Sequence, residues 1–265
     1  VHAPAASRAQ VAPAAAPATT ERSLDDRALI ACNEGNVAGL KAALDAGASA
    51  NAISRDGGAF SCLMFAANNG HIEAVRLLLR SGARVNDRDV IGRTALVVAA
   101  EEGRAPVVEL LLASGAEVDA MPKNGMTALM RAAFAGCTDA VRLLIKARAN
   151  LELRDPKAHQ TPLMLAIGKD RTDAAKALLA AGANPNVTDS GGGSALLLAV
   201  SQGNLDIVRA LIASRADVNF RVGKYTPLSL AQDGKREDIA AVLRAAGARV
   251  AAPAPAPAPA APPQP

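Results

Sequence analysis

Alanine stands at positions 31, 66, 99, 132, 166, 199 and 231, and no other residue takes its place in the series. Counted from Asp26, Ser61, Thr94, Thr127, Thr161, Ser194 and Thr226, each of these alanines is the fifth residue on. The openings themselves are spaced by 35, 33, 33, 34, 33 and 32 residues. Two residues after the opening come Leu63, Leu96, Leu129, Leu163, Leu196 and Leu228. Nine residues on come Gly35, Gly70, Gly103, Gly136 and Gly203, and at the twenty-second position alanine stands in all seven units, from Ala48 to Ala248. A period of this length restricts the chain to a stack of similar units, each burying its apolar face only against its neighbours. The invariant small residue marks where neighbouring helices approach most closely, and a leucine there would overpack the stack by ~1–3 kcal/mol.

Each unit reads as turn, short helix, tight turn, longer helix, loop. A Ser or Thr at the opening caps the first helix by accepting from an unpaired N–H. Pro162 and Pro227 follow at the first helical position, where proline costs least. Pro106 falls in a first turn, so no break is expected there. Ile72, Val75, Leu78 and Leu79 line one face of a second helix, and Gly82 ends it in a left-handed conformation. Pairs such as Leu111–Leu112 and Leu144–Ile145 are expected to meet neighbouring units. Arg148 and Arg215 replace that terminal glycine in two units; with the geometry kept, each carries a penalty of ~1 kcal/mol. Aromatics make up only 2% of the chain, so Ala, Leu, Val and Ile must fill the core.

With this pattern established, the chain resembles the ankyrin repeat, whose period is 33 and whose pattern opens T-P-L-H-x-A. The matching residues are Gly92 to Leu96, Thr161-Pro162-Leu163, Thr226-Pro227-Leu228, Gly70-His71, and endings such as Gly82 to Asn86. The histidine usual at the third position is absent, and T-P is complete only in units five and seven. The resemblance implies an all-α solenoid of helix-turn-helix units with β-hairpin-like tips over residues 23–250, seven repeats with the first and last as caps. Ala/Pro-rich stretches flank it: a linker over 1–22 and a polyproline-type tail over 251–265, which together hold ten of the sixteen prolines and are expected to be disordered.

The resemblance also implies a non-catalytic module that binds a partner protein on its concave face, through the tips and the exposed side of the first helix. Carried over by position, that face consists of Phe60, Asn68, Asn69, Arg93, Glu101, Glu102, Met126, Arg131, Phe134, Gln160, Lys169, Gln202 and Tyr225. Phe60, Phe134 and Tyr225 are three of only five aromatics, all expected to be exposed. The alternative is an accessory subunit tethered to a larger complex through its Ala/Pro tails.

Other classes find little support. Net charge is +4, but without a Lys/Arg run or a stacking set of aromatics, so no nucleic-acid binding is expected. No run of 18 apolar residues exists to insert in a membrane. His2, His71 and His159 are scattered, and Cys32, Cys62 and Cys137 match no metal spacing. The cysteines read as small buried residues, with a Cys32–Cys62 disulfide as the alternative. No nucleophile elbow, P-loop or Cys/His pair suggests an enzyme, and no cofactor or small-molecule substrate is expected. The Ala/Pro-rich start at Val1 suggests a mature N-terminus after signal-peptide removal, hence an exported, periplasmic bacterial protein; the alternative is cytoplasmic.

Overall fold

In six of the seven units the opening hydroxyl caps a helix, as its position predicts. Ser61 Oγ accepts from the Met64 amide at 3.2 Å, and Thr94, Thr127, Thr161, Ser194 and Thr226 repeat the bond in their own units. The first unit differs. Its cap is Ser23, three residues before the expected Asp26, and Asp26 answers from the N3 position of a capping box. The first helix is thereby extended by one turn at its N-terminal end, while Ala31 and Gly35 keep their register.

The computed structural model describes residues 23–249, so the linker and tail expected over 1–22 and 251–265 lie outside the described residues. Among these residues there are fourteen helices in seven pairs. The first helices are α1 (Leu24–Glu34), α3 (Cys62–Asn69), α5 (Ala95–Glu101), α7 (Ala128–Ala135), α9 (Pro162–Gly168), α11 (Ala195–Gln202) and α13 (Pro227–Asp233). The second helices are α2 (Val37–Asp45), α4 (Ile72–Arg80), α6 (Ala105–Ala113), α8 (Thr138–Lys146), α10 (Thr172–Ala180), α12 (Leu205–Ala213) and α14 (Glu237–Ala245). Each first helix packs on the next first helix and each second helix on the next second helix, giving two layers. Isolated antiparallel bridges, Ile53 with Ser61, Thr188 with Ser194 and Val222 with Tyr225, make those tips hairpin-like.

The core follows the repeat. From Ala66 to Ala231 the fifth-position alanines are fully buried, as are Leu96, Leu129 and their equivalents. Helices this short are marginal alone, so packing between units supplies their stability. Cys32 and Cys62 are buried, unlinked thiols in contact across α1 and α3. Hydrogen bonding to Cys62, then burial, pushes the Cys32 thiol far up, so it stays protonated.

Two ladders of polar bonds cross the unit boundaries. In the first, the residue at position 25 reaches into the following unit. Asn51 Nδ2 donates to Gly82 O and Asn51 Oδ1 accepts from Arg84 N; Asn86, Asn186 and Asn219 repeat both bonds. Asp119 and Glu152, lacking a donor, only accept. In unit one, which has no described unit before it, Asp25 accepts from the equivalent Ser49 amide at 2.8 Å.

In the second ladder, the residue at position ten reaches back over the previous ninth-position glycine. His71 Nε2 bonds Asn33 O, Arg104 Nε donates to Asn68 O, and Arg171 Nε donates to Phe134 O. His71 therefore holds a turn between units. Its ring would lie 2.5 Å from a Cβ on Gly35, and Cys137 Sγ 2.8 Å from one on Gly103. Glycine at position nine thus answers two demands, a left-handed φ and a close neighbour. Unit five has Asp170 there at φ 55°, and the next unit supplies the shorter Asn204, whose amide donates to Asp170 at 2.6 Å. Lys235 takes the position in unit seven, with no described unit stacked above it.

At the second-helix ends, Arg148 and Arg215 keep the left-handed conformation, at φ 63° and 66°. The glycines at this position have open space where a Cβ would sit, so backbone strain alone favours glycine there. Arg148→Gly is therefore expected to raise the melting temperature by about 2–4 °C, measured by thermal unfolding. Gly115→Ala, which meets only that strain, should cost about 1 kcal/mol in urea unfolding, whereas Gly103→Ala should cost more. Adding Cys137→Ala should recover part of the Gly103→Ala loss, because the Sγ contact is the difference between the two glycines.

Candidate functional site: the tips and the first-helix face

The tips are held by buried or half-buried carboxylates turned inward on their own backbone. Asp89 accepts from the amides of Ile91 and Arg93 and from Arg93 Nε at 2.8 Å. Asp155 accepts from the amides of Lys157, Ala158 and Gln160 at 2.7–3.0 Å. Asp189 holds Gly191 and Gly193 in the same way. Burial pulls the Asp155 carboxyl upward, but the three amides, helped by His159, outweigh it and hold the group below the usual carboxylate range. Neighbouring tips are also tied through Val90 N to Gly58 O, Lys123 N to Ile91 O and Ser190 N to Ala158 O. The residues just before each opening are presented from this braced backbone.

Among the residues carried over by position, Phe134 and Tyr225 stand out from the surface as expected, 38% and 41% exposed. Lys169 Nζ sits 4.7 Å from the Phe134 ring centre and Lys224 Nζ 5.2 Å from that of Tyr225. Phe60 departs from the expectation: it is half-buried. Phe65 of its own unit meets it edge-on at 5.1 Å, and the Arg93 guanidinium covers it from the next tip at 5.1 Å. Arg93 is therefore engaged twice, with Phe60 and with Asp89.

Glu101 and Arg131 form a half-buried ion pair at 2.9 Å, while Glu102 is exposed beside it. Asn68 and Asn69 bond each other, and Asn69 Nδ2 donates to Asn33 O, so this pair braces units one and two. Met126 and Gln160 are half-buried with their amides capped within the tip by Asn124 and Asp155. Gln202 is exposed at the end of α11.

Two surfaces escaped the positional reading. Ile53, Val90, Ile91 and Met121 are exposed at the outer tips of units two to four. Farther along, Met164, Leu197, Leu198, Val222, Tyr225 and Leu230 line an open, mainly apolar groove of about 250 Å³. Leucines there look like core residues in the sequence. The available signal was the fourth position of each unit, which varies through Ile30, Phe65, Val98 and Arg131 before settling on Leu165, Leu198 and Leu230.

The architecture and its bonding ladders are those of stacked ankyrin units, and a family model described as ankyrin repeats (3 copies) matches residues 28–122, 118–189 and 178–253. The chain belongs to the ankyrin-repeat family. Ankyrin repeats are in general protein–protein interaction modules and typically non-catalytic. No helix among the described residues is long and apolar enough to cross a membrane.

The Asp155 geometry gives a pH dependence with a definite sign. Its folded-state pKa is depressed, so its contribution is complete at neutral pH and is lost as pH falls through the folded value. Asp155→Asn places an amide donor against a backbone N–H and should cost about 1–3 kcal/mol at pH 7. Melting temperatures taken from about pH 6 down to pH 3 should fall less steeply for the variant than for the parent.

Proposed function

We propose that the chain is a non-catalytic binding module that grips a partner protein on its concave face, built from the tips and first helices. The observation that supports this reading is the exposure of two aromatic rings, Phe134 and Tyr225, on a braced scaffold. Half-exposed aromatics keep their apolar area available at low entropic cost, which suits interface anchors. The lysines over both rings add donors that remain accessible to a partner's carboxylates. Glu102 and Gln202 supply polar rim contacts, and Phe60, Arg93, Asn69 and the Glu101–Arg131 pair act mainly by shaping the surface.

The test is capture of the partner from a native extract by the full chain, with and without substitution. Phe134→Ala and Tyr225→Ala should each weaken capture by roughly tenfold or more, in the range of interface anchors, with melting temperatures near the parent's. Undiminished recovery by both variants would refute the proposed face.

A further inference from the structure

The groove beside Tyr225 is a mainly apolar part of this face. Its walls come from three consecutive units: Met164 of α9, Leu197, Leu198 and Ser201 of α11, Val222 and Tyr225 of the last tip, and Leu230 of α13. At about 250 Å³ it has room for one or two apolar side chains and is open to solvent along its length. The carboxylate in its lining, Asp189, is spent on the amides of Gly191 and Gly193.

Two lysines, Lys169 and Lys224, lie next to residues that border the groove, though neither is part of its lining. Lys169 follows Gly168, where a Cβ would lie 3.7 Å from Leu198 Cδ2 on the groove wall. Lys224 lies over the ring of Tyr225, another lining residue, while the Lys169 ammonium rests on Phe134 outside the lining. Neither lysine has an ion pair among the described residues; each rests on an aromatic ring instead. Two lysines on the second helices are paired, Lys41 with Asp45 and Lys176 with Asp206, whereas Lys146 of α8 has no ion pair among the described residues. The last tip, from Phe220 to Tyr225, carries Arg221 and Lys224 and no carboxylate, and Arg221 Nε donates to Gly223 O.

We infer that this groove takes an acidic peptide segment with an apolar anchor, the anchor side chain seated between Leu197, Leu198 and Tyr225 and flanking carboxylates paired with Lys169 and Lys224. The inference rests on the reading of this face as the binding surface and adds the chemistry of what it binds. The physical grounds are complementary. An apolar floor rewards a buried methyl-rich side chain, and two cations without carboxylate partners reward negative charge on either side of it. A segment with basic flanks would set like charges against both lysines. Specificity would then come from repulsion as well as attraction.

The experiment uses the full chain and three short, capped, fluorescent peptides with a central leucine flanked by glutamates, glutamines or lysines, read by anisotropy. The glutamate peptide should bind at least about tenfold more tightly than the glutamine peptide, the lysine peptide should be weakest, and the preference should shrink with added salt. Lys169→Gln and Lys224→Gln, both at exposed positions, should each weaken the glutamate peptide by about threefold or more while leaving the glutamine peptide unchanged. Replacing the peptide's leucine with serine should abolish binding. Equal affinity for all three peptides, or no binding by any, would overturn the inference. Either result leaves the broader reading of the face to be judged by partner capture with Phe134→Ala and Tyr225→Ala.

Discussion

Everything in this molecule depends on how closely one unit can approach the next. Helices of seven to nine residues, the length of most here, cannot hold themselves together in water. Each unit also leaves its apolar face unburied until a neighbour covers it. Fully buried alanines in the first-helix layer let the backbones come together, and the leucines two residues after every opening but the first fill the remaining volume. Close approach then brings polar groups of adjacent units within bonding distance, which makes both ladders possible. Asn51, Asn86, Asn186 and Asn219 bond the end of the following unit's second helix. His71, Arg104 and Arg171 bond the preceding unit's first helix from the other side.

The same rigidity governs the candidate site. A tip braced by Asp89 or Asp155 has its backbone amides satisfied internally, so its outward side chains are presented from a defined platform. Much of the variation falls at the tips and on the first helices. The exposed rings of Phe134 and Tyr225, their attendant lysines and the groove between units five and seven are all of this kind. Stability is spread over residues that repeat.

Much of this was legible beforehand because periodicity reports burial directly. The caps of six units, the buried alanine series and the left-handed ends at Arg148 and Arg215 all follow from spacing. The first helix did not, because Ser23 offers a better cap than Asp26 and the helix extends back to reach it. Phe60 did not, because its burial comes from Phe65 and Arg93, and no rule of position says which side chain will turn toward it. The groove at Leu197 and Leu198 was hidden for the converse reason: leucine in a first helix reads as core, whichever way the neighbouring tip falls.

The substitution of Asp170 for glycine shows where the division lies. The sequence alone determined the ankyrin architecture and its register, since a small residue every 33 or so positions admits little else. It also located the left-handed turns, because those depend on local φ and on the residue that must adopt it. Only the tertiary structure decided which exceptions are tolerated and which surface residues remain free. Asp170 is accommodated because Asn204, 34 residues later, is short and donates to it, and Lys169 and Lys224 rest on aromatic rings with no ion pair among the described residues. Both depend on distances between units, and a linear pattern carries the order of its residues without the gaps between their side chains.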